Sequence, residues 1–330
     1  FSVSSVLPAV MPLGGAVFAA GAYIAVARPV AVVVLLLMAV CPLLGWRKTQ
    51  GPAFWGHMRR PLVVAACLFV AGLVLFGTKL MPTYSAILTD GGSAADALAE
   101  QGPAVYYFAL TIVALAAISL LIATSAYLLV RGVRARMRNK GEGAPAAAFN
   151  LFRRSPAQAG GYLCHLGIAI AALGLVGSMM YVRDVTVSLA GEKGESVQVG
   201  GYVLTLTDTE RYADSQDNEV MRVELDVADE QGSLMGHVAP SMKVAAATSQ
   251  STLDAAVLTR PLEDLFVAFQ GLNADGTLSI NVKVNPLILL TWAGGAISTL
   301  GIALAFAPRR ATPLLAADER TRAQAKANAR

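Results

Sequence analysis

Long apolar runs dominate the chain. The clearest are Pro61–Leu80, Ala104–Val130, Gly161–Val182 and Pro286–Ala307. Each approaches the ~20 residues that a helix needs to cross a bilayer. The first 45 residues are also apolar, broken only by Arg28-Pro29. That block is too long for one straight span, so it predicts either one crossing with a kinked or interfacial extension, or a short hairpin. The pattern predicts five crossings, with six as the alternative.

The period changes between the last two runs. Residues 183–285 carry more charge, and apolar positions alternate with polar ones. "VTVSL", "YVLTLT", "VMRVELDV", "LFVAF" and "LSINVKV" read as strands. Gly191–Gly194, Gly200-Gly201, Asp229–Gly232 and Asp275-Gly276 read as the turns between them. A mostly antiparallel β domain of five to seven strands is expected, tethered at both ends by membrane helices. Within "MRVELDV", Arg222, Glu224 and Asp226 fall on one solvated strand face.

Composition agrees with the pattern. Of 330 residues, 55% are hydrophobic and 15% charged, against roughly 25% charged in ordinary soluble domains. The basic residues give the spans a direction. Arg47, Lys48, Arg59 and Arg60 share one short loop; Arg131, Arg134, Arg136, Arg138, Lys140, Arg153 and Arg154 share another; Arg309 and Arg310 follow the last run. Basic loops stay cytoplasmic, which sends Met81–Pro103 and Arg183–Asn285 to the other side. The net charge of +4 therefore reads as topology. It does not read as nucleic-acid binding, because the arginines flank spans without aromatic interleaving. The expected organisation is membrane helices with cytoplasmic basic loops over 1–182, an extracytoplasmic β-rich domain over 183–285, a final membrane helix over 286–308 and a cytoplasmic tail over 309–330. This is the fold class of an α-helical polytopic membrane protein with a β-rich domain inserted before its last helix.

Candidate chemistry is sparse. Cys41, Cys67 and Cys164 lie in or beside apolar runs with no CxxC pair, so neither a disulfide framework nor a zinc site is expected; they read as buried small apolar residues. His237, in "MGHVAPSM", reads as a surface or edge residue. His57, in "FWGHMRR", reads as an interfacial anchor beside Phe54 and Trp55. The β domain offers no nucleophile–base pair. His165 stands apart, because an ionisable residue within a span is a functional candidate. Gly161, Ala169 and Ala172 share its helical face and would leave a shallow recess for a flat macrocycle. Gly167, Ala171, Gly174 and Ser178 form a second small-residue stripe suited to close helix packing. Haem ligation, a hydrogen bond to a neighbouring helix and a proton or substrate path are all open for His165 on these grounds.

The order of segments resembles the C-terminal half of the CcmF family, the cytochrome c haem lyases of c-type cytochrome maturation, together with their NrfE-type, nitrite-reductase-associated relatives. "CPLLGWR" (Cys41–Arg47) resembles the family's span-ending Pro-Leu-Leu-x-Trp-Arg. "RGVRARMRN" followed by "GGYLCHLGIAIAALGLVGS" resembles its basic loop and Gly-Gly-Tyr-x-x-His-x-Gly helix. "LEDLFVAF" (Leu262–Phe269) resembles its acidic-Asp-Leu-Tyr-Val strand, with Phe266 at the tyrosine, and "VNPLILLTWAGG" (Val284–Gly295) resembles the start of its final helix. The resemblance implies that His165 is an axial ligand of a membrane-embedded b-type haem, its second ligand lying outside this chain. It further implies a multi-pass protein of the bacterial cytoplasmic (inner) membrane. The implied partners are the haem chaperone CcmE, apocytochrome c with its thiol-handling subunits, and the N-terminal part of the lyase. The implied task is covalent attachment of haem to a Cys-x-x-Cys-His apocytochrome.

The chain departs from the family in two respects. The Trp-rich haem-handling loop and its flanking histidines have no counterpart, since only Trp46, Trp55 and Trp292 occur. A chain beginning at Phe1, with no visible signal-peptide pattern, is expected to be a fragment or one subunit of a split lyase, incomplete as an enzyme by itself. The Pro-Leu pair that usually opens the first matched span also sits far from Pro42, with Arg28-Pro29 between. Two other classes remain in view: a non-catalytic membrane scaffold whose β domain docks partners, and a small-solute transporter. The second lacks the internal repeat that transporters favour.

Overall fold

The computed structural model describes residues 20–44, 51–100 and 103–307. Arg47, Lys48, Trp46, Arg309, Arg310 and the Pro12-Leu13 pair lie outside these residues.

Eight α-helices occur among the described residues. Helix α1 (Ala20–Val40) ends in a 3-10 turn at Cys41–Leu43. Helix α2 (Gly51–Leu75) runs through a π-helical turn at Phe76–Leu80 into α3 (Met81–Asp90). Then come α4 (Gly92–Glu100), α5 (Ala104–Lys140), the short α6 (Ala144–Arg154), α7 (Pro156–Met180) and, after the β domain, α8 (Ile288–Ala305). Five helical stretches are long and apolar enough to cross a membrane: Val26–Leu43, Phe54–Asp90, Ala104–Lys140, Pro156–Met180 and Ile288–Ala305. The first apolar block therefore contributes one such helix over its described part, and Pro29 sits inside α1 without ending it.

Helix α5 is the spine of the bundle. Its 37 residues span about 55 Å at 1.5 Å per residue, well beyond the ~30 Å hydrocarbon core. Its apolar stretch buries Tyr107, Leu115, Ile118 and Leu121 against α1, α2 and α7, while its arginine-rich last turns are largely exposed. Gly141, at φ 66°, ends it and returns an N–H to the Met137 carbonyl, the left-handed cap glycine makes possible. Just beyond, Glu142 accepts two hydrogen bonds from Arg136, at 3.0 and 2.7 Å. Helix α6 folds back with Leu151 packed on Gly132.

The bundle has two distinct ends. The end of α1, the arginine-rich end of α5 and the start of α7 meet around Pro42, Arg131 and Gln158. At the other end Tyr107 donates to the Met180 carbonyl, and Thr111 Oγ1 lies 2.7 Å from Tyr181 Oη. Arg28 lies there too, its guanidinium 5.4 Å from the centre of the Tyr107 ring. The charge that interrupts the first apolar block thus has a stacking partner.

The β-rich domain lies between α7 and α8 and has ten strands. One sheet has the order β1 (Arg183–Leu189), β10 (Leu278–Pro286), β9 (Glu263–Leu272), β8 (Ala256–Thr259). The other runs β2 (Ser196–Val199), β3 (Tyr202–Ala213), β4 (Glu219–Asp229), β6 (Ser241–Val244), β7 (Ser251–Asp254), with β5 (Leu234–Val238) also on β4. Every pairing is antiparallel. The inward residues of both sheets, including Leu204, Leu225, Val267, Phe269 and Val282, share one core. Each of the five long strands read from the sequence is present, and Val223, Leu225 and Val227 point inward as the alternation of β4 requires.

The domain is tied to the bundle at both ends. Arg183 forks onto Asp90 at the end of α3, with Nη2 2.8 Å from Oδ1. Leu287 adopts a left-handed conformation (φ 61°) between β10 and α8, and its N–H donates to the Leu262 carbonyl at 2.7 Å.

Two expectations need correction. The strand number exceeds five to seven, because β2, β5, β6, β7 and β8 are only four or five residues long and too short to show alternation. Cys41 and Cys67 are exposed on helix surfaces rather than buried, and Cys164 is intermediate. A membrane-length helix turns small apolar side chains outward without the penalty that water imposes.

Candidate cofactor-ligand site on the seventh helix

Pro156 occupies the first turn of α7, where its missing N–H costs nothing. The helix then presents glycine every seventh residue to α8. A Cβ added to Gly160 would lie 2.5 Å from the Gly301 carbonyl oxygen, one on Gly167 2.5 Å from Ser298 N, and one on Gly174 2.3 Å from Thr291 N. Gly294 and Gly301 of α8 answer in kind, against the backbones of Ala171 and Cys164. The two backbones are in direct contact, and Ser298 Oγ donates to the Cys164 carbonyl at 3.3 Å. The stripe of Gly167, Ala171 and Gly174 is therefore a helix–helix seam, as its residue sizes predict.

His165 points elsewhere. One residue on from Cys164, it is rotated by about 100° around the helix, onto the face that carries Ala169 and Ala172 toward the core. It is half-buried, and among the described residues its imidazole has no hydrogen-bond partner. The expected recess is open at one end only. Nothing lies within 4 Å of a Cβ built on Gly161, whereas Ala169 is fully buried and Ala172 packs against the core. One and two turns before His165 on the same face, Tyr162 and Gln158 are joined by a 3.0 Å hydrogen bond. They line a cavity of about 380 Å³ with Pro42, Leu128 and Arg131. The sequence reading does not single out Gln158 and Tyr162, although their spacing from His165 places them on its face.

These residues fit half of an axial pair. An imidazole that makes no competing hydrogen bond, beside an open glycine, can supply one nitrogen to an iron. Among the described residues, no group of three or more His, Cys, Asp or Glu could hold a metal ion. His57 instead lines a cavity between α2 and α5. His237, exposed on β5, meets Asp226 of β4 through Nδ1 and Oδ1, directly opposite in the strand register. The three histidines thus belong to three separate environments. In the β domain, perturbed groups serve structure. Burial and the hydrogen bond from Tyr202 Oη to Glu263 (2.7 Å) push the Tyr202 phenol up. Asn218 and Lys243 hold the Asp214 carboxyl far below the usual range.

A bundle with five membrane-length helices and a two-sheet β domain between α7 and α8 defines a polytopic membrane protein with an inserted β domain. No protein-family model matches the chain. It is 29% identical over 286 residues to the cytochrome c-type biogenesis protein CcmF of Pseudomonas aeruginosa, covering 84% of this chain and 41% of that protein. It is 26% identical over 166 residues to the cytochrome c-type biogenesis protein CycK of Bradyrhizobium diazoefficiens, covering 50% of this chain and 24% of that one. The fold matches a solved structure of the cytochrome c haem lyase CcmF with a TM-score of 0.64 and 18% identity, over 93% of this chain and 43% of the other. The chain is thus similar, over part of their length, to cytochrome c-type biogenesis proteins of the CcmF/CycK kind. It spans less than half the length of these relatives.

Proposed function

We propose that this chain is the part of a cytochrome c haem lyase that contributes one axial ligand to a membrane haem b and the β domain beside it. The observation that carries the reading is His165: a half-buried imidazole on a membrane-length helix, without a hydrogen-bond partner among the described residues. It lies beside the open face of Gly161, in a chain related to CcmF. A bound b-type haem supplies one-electron reduction for the iron of an incoming haem. The residues here hold and orient. His165 would hold the iron through one ring nitrogen, a second ligand would come from outside this chain, and apolar residues of α5 and α7 would wall the site from water. The β domain docks or shields the partners, namely the haem chaperone CcmE and apocytochrome c with its thiol-handling subunits. It faces the extracytoplasmic side of the bacterial inner membrane.

The test is to purify the lyase assembly with His165→Ala and record its reduced absorbance spectrum. Loss of the b-type signal, or a shift to a five-coordinate form, with failure of cytochrome c maturation, is the expected result. Wild-type haem content with an unchanged low-spin signal overturns the assignment and leaves a scaffold with a structural histidine.

A further inference from the structure

A second cavity, of about 490 Å³, opens at the arginine-rich end of the bundle between α2 and α5. Tyr127, Arg131, Arg134 and Arg138 line one wall, and His57 and Arg60 the other. The spacings explain the convergence. Positions 127, 131, 134 and 138 follow the four-three-four step that keeps side chains on one helix face, and 57 and 60 are one turn apart. Among the described residues, no acidic side chain lines the cavity. Among the described residues, none of the four arginines pairs with a carboxylate. Arg136, on the opposite face of α5, does pair, with Glu142 at 2.7 Å. The sequence therefore neutralises an arginine where an acid is at hand and leaves four unneutralised around one concavity. Positive loops account for the number of arginines, but not for their gathering from two helices around one empty volume.

We propose that this cavity binds a phosphate-ester anion, the headgroup of an anionic phospholipid. Two neighbours argue for a lipid as the source. Val130 lines the cavity beside the arginines and is 45% exposed, giving an acyl chain an apolar exit. Trp55, 59% exposed and two residues from His57, is a residue type enriched at headgroup depth. Guanidinium groups fork onto phosphate oxygens, and basic pockets between membrane helices suit such headgroups.

Native mass spectrometry of the detergent-purified protein tests this, with micelles doped with phosphatidylglycerol or phosphatidylcholine and with inorganic phosphate as competitor. One phosphatidylglycerol should be retained in preference to phosphatidylcholine. The double variant Arg131→Gln/Arg134→Gln should bind it about 25-fold more weakly, about fivefold per arginine. Arg131→Lys/Arg134→Lys should recover most of the binding, which separates lost charge from lost fold. Arg136→Gln should match wild type. Equal phosphatidylglycerol affinity in wild type and the glutamine double variant overturns the site. Equal retention of phosphatidylcholine overturns the anionic preference, and displacement by excess inorganic phosphate reassigns the cavity to a free anion and overturns the lipid.

Discussion

Cys164 and His165 are adjacent, yet a single helical step separates a residue of the α7–α8 seam from the proposed ligand. The Cys164 backbone lies against Gly301, while the His165 imidazole faces away from α8. The histidine was legible in the sequence because an ionisable side chain is conspicuous in an apolar run. Asp214 was not, because its setting exists only once a turn has closed. Its carboxyl accepts from the Gln216 and Asn218 backbone N–H groups, at 2.8 and 3.1 Å, and from the Asn218 amide at 3.0 Å. It also pairs with Lys243. The Asn218 amide, then Lys243, depress its pKa. A depressed carboxyl adds stability above its unfolded value and loses it as pH falls through the folded one. The β domain should therefore lose stability as pH drops below about 4. Asp214→Asn should flatten that acid limb of a melting-temperature profile while lowering the plateau near neutrality. An unchanged acid slope in Asp214→Asn would place the acid sensitivity elsewhere.

Helices α7 and α8 pair through glycine, so side-chain size at two positions on one helix should have opposite consequences. A methyl added at Gly167 meets the Ser298 backbone at 2.5 Å, whereas one at Gly161 meets nothing within 4 Å. Gly167→Ala is expected to cost about 1–3 kcal/mol by overpacking, read as a lowered thermal midpoint in detergent through Trp292 emission on α8. Gly161→Ala should leave that midpoint within about 0.5 kcal/mol of wild type; in the haem-loaded assembly it tests whether the porphyrin lies on this face. Equal destabilisation by both would mean that α7 packs by another face. At this scale the sequence was informative wherever an element was long. The membrane-length helices and five main strands carry their period over many residues. β5, β6, β7 and β8 do not: each is fixed by its partner, such as β6 by Glu219–Arg222 of β4. The seam was legible as a small-residue stripe, but its partner was not, because α8 lies more than a hundred residues further along the chain.

Taken whole, the molecule separates charge along its length. The α2–α5 cavity gathers four arginines at one end. The β domain, the Asp90–Arg183 contact and the Tyr107–Met180 contact sit at the other. The span helices also leave large outward apolar faces, with Val26, Val63, Val70 and Trp292 each more than half exposed. Lipid or the remainder of a longer assembly can cover them, in keeping with a chain that matches 41% of its Pseudomonas aeruginosa relative. Positive residues favour the cytoplasm, so the arginine end should face inward and the β domain outward. Gly232 and Gly141 are suitable reporter positions, since both lie at exposed turns in left-handed conformation, at φ 81° and 66°, and a fusion at either leaves a strand or helix intact. A phosphatase reporter that folds only outside the cytoplasm should be active at Gly232 and silent at Gly141. A fluorescent reporter that matures only in the cytoplasm should show the reverse. Fluorescence at Gly232 would invert the protein in the membrane. It would move the arginine cavity to the outer leaflet and separate the β domain from any extracytoplasmic apocytochrome.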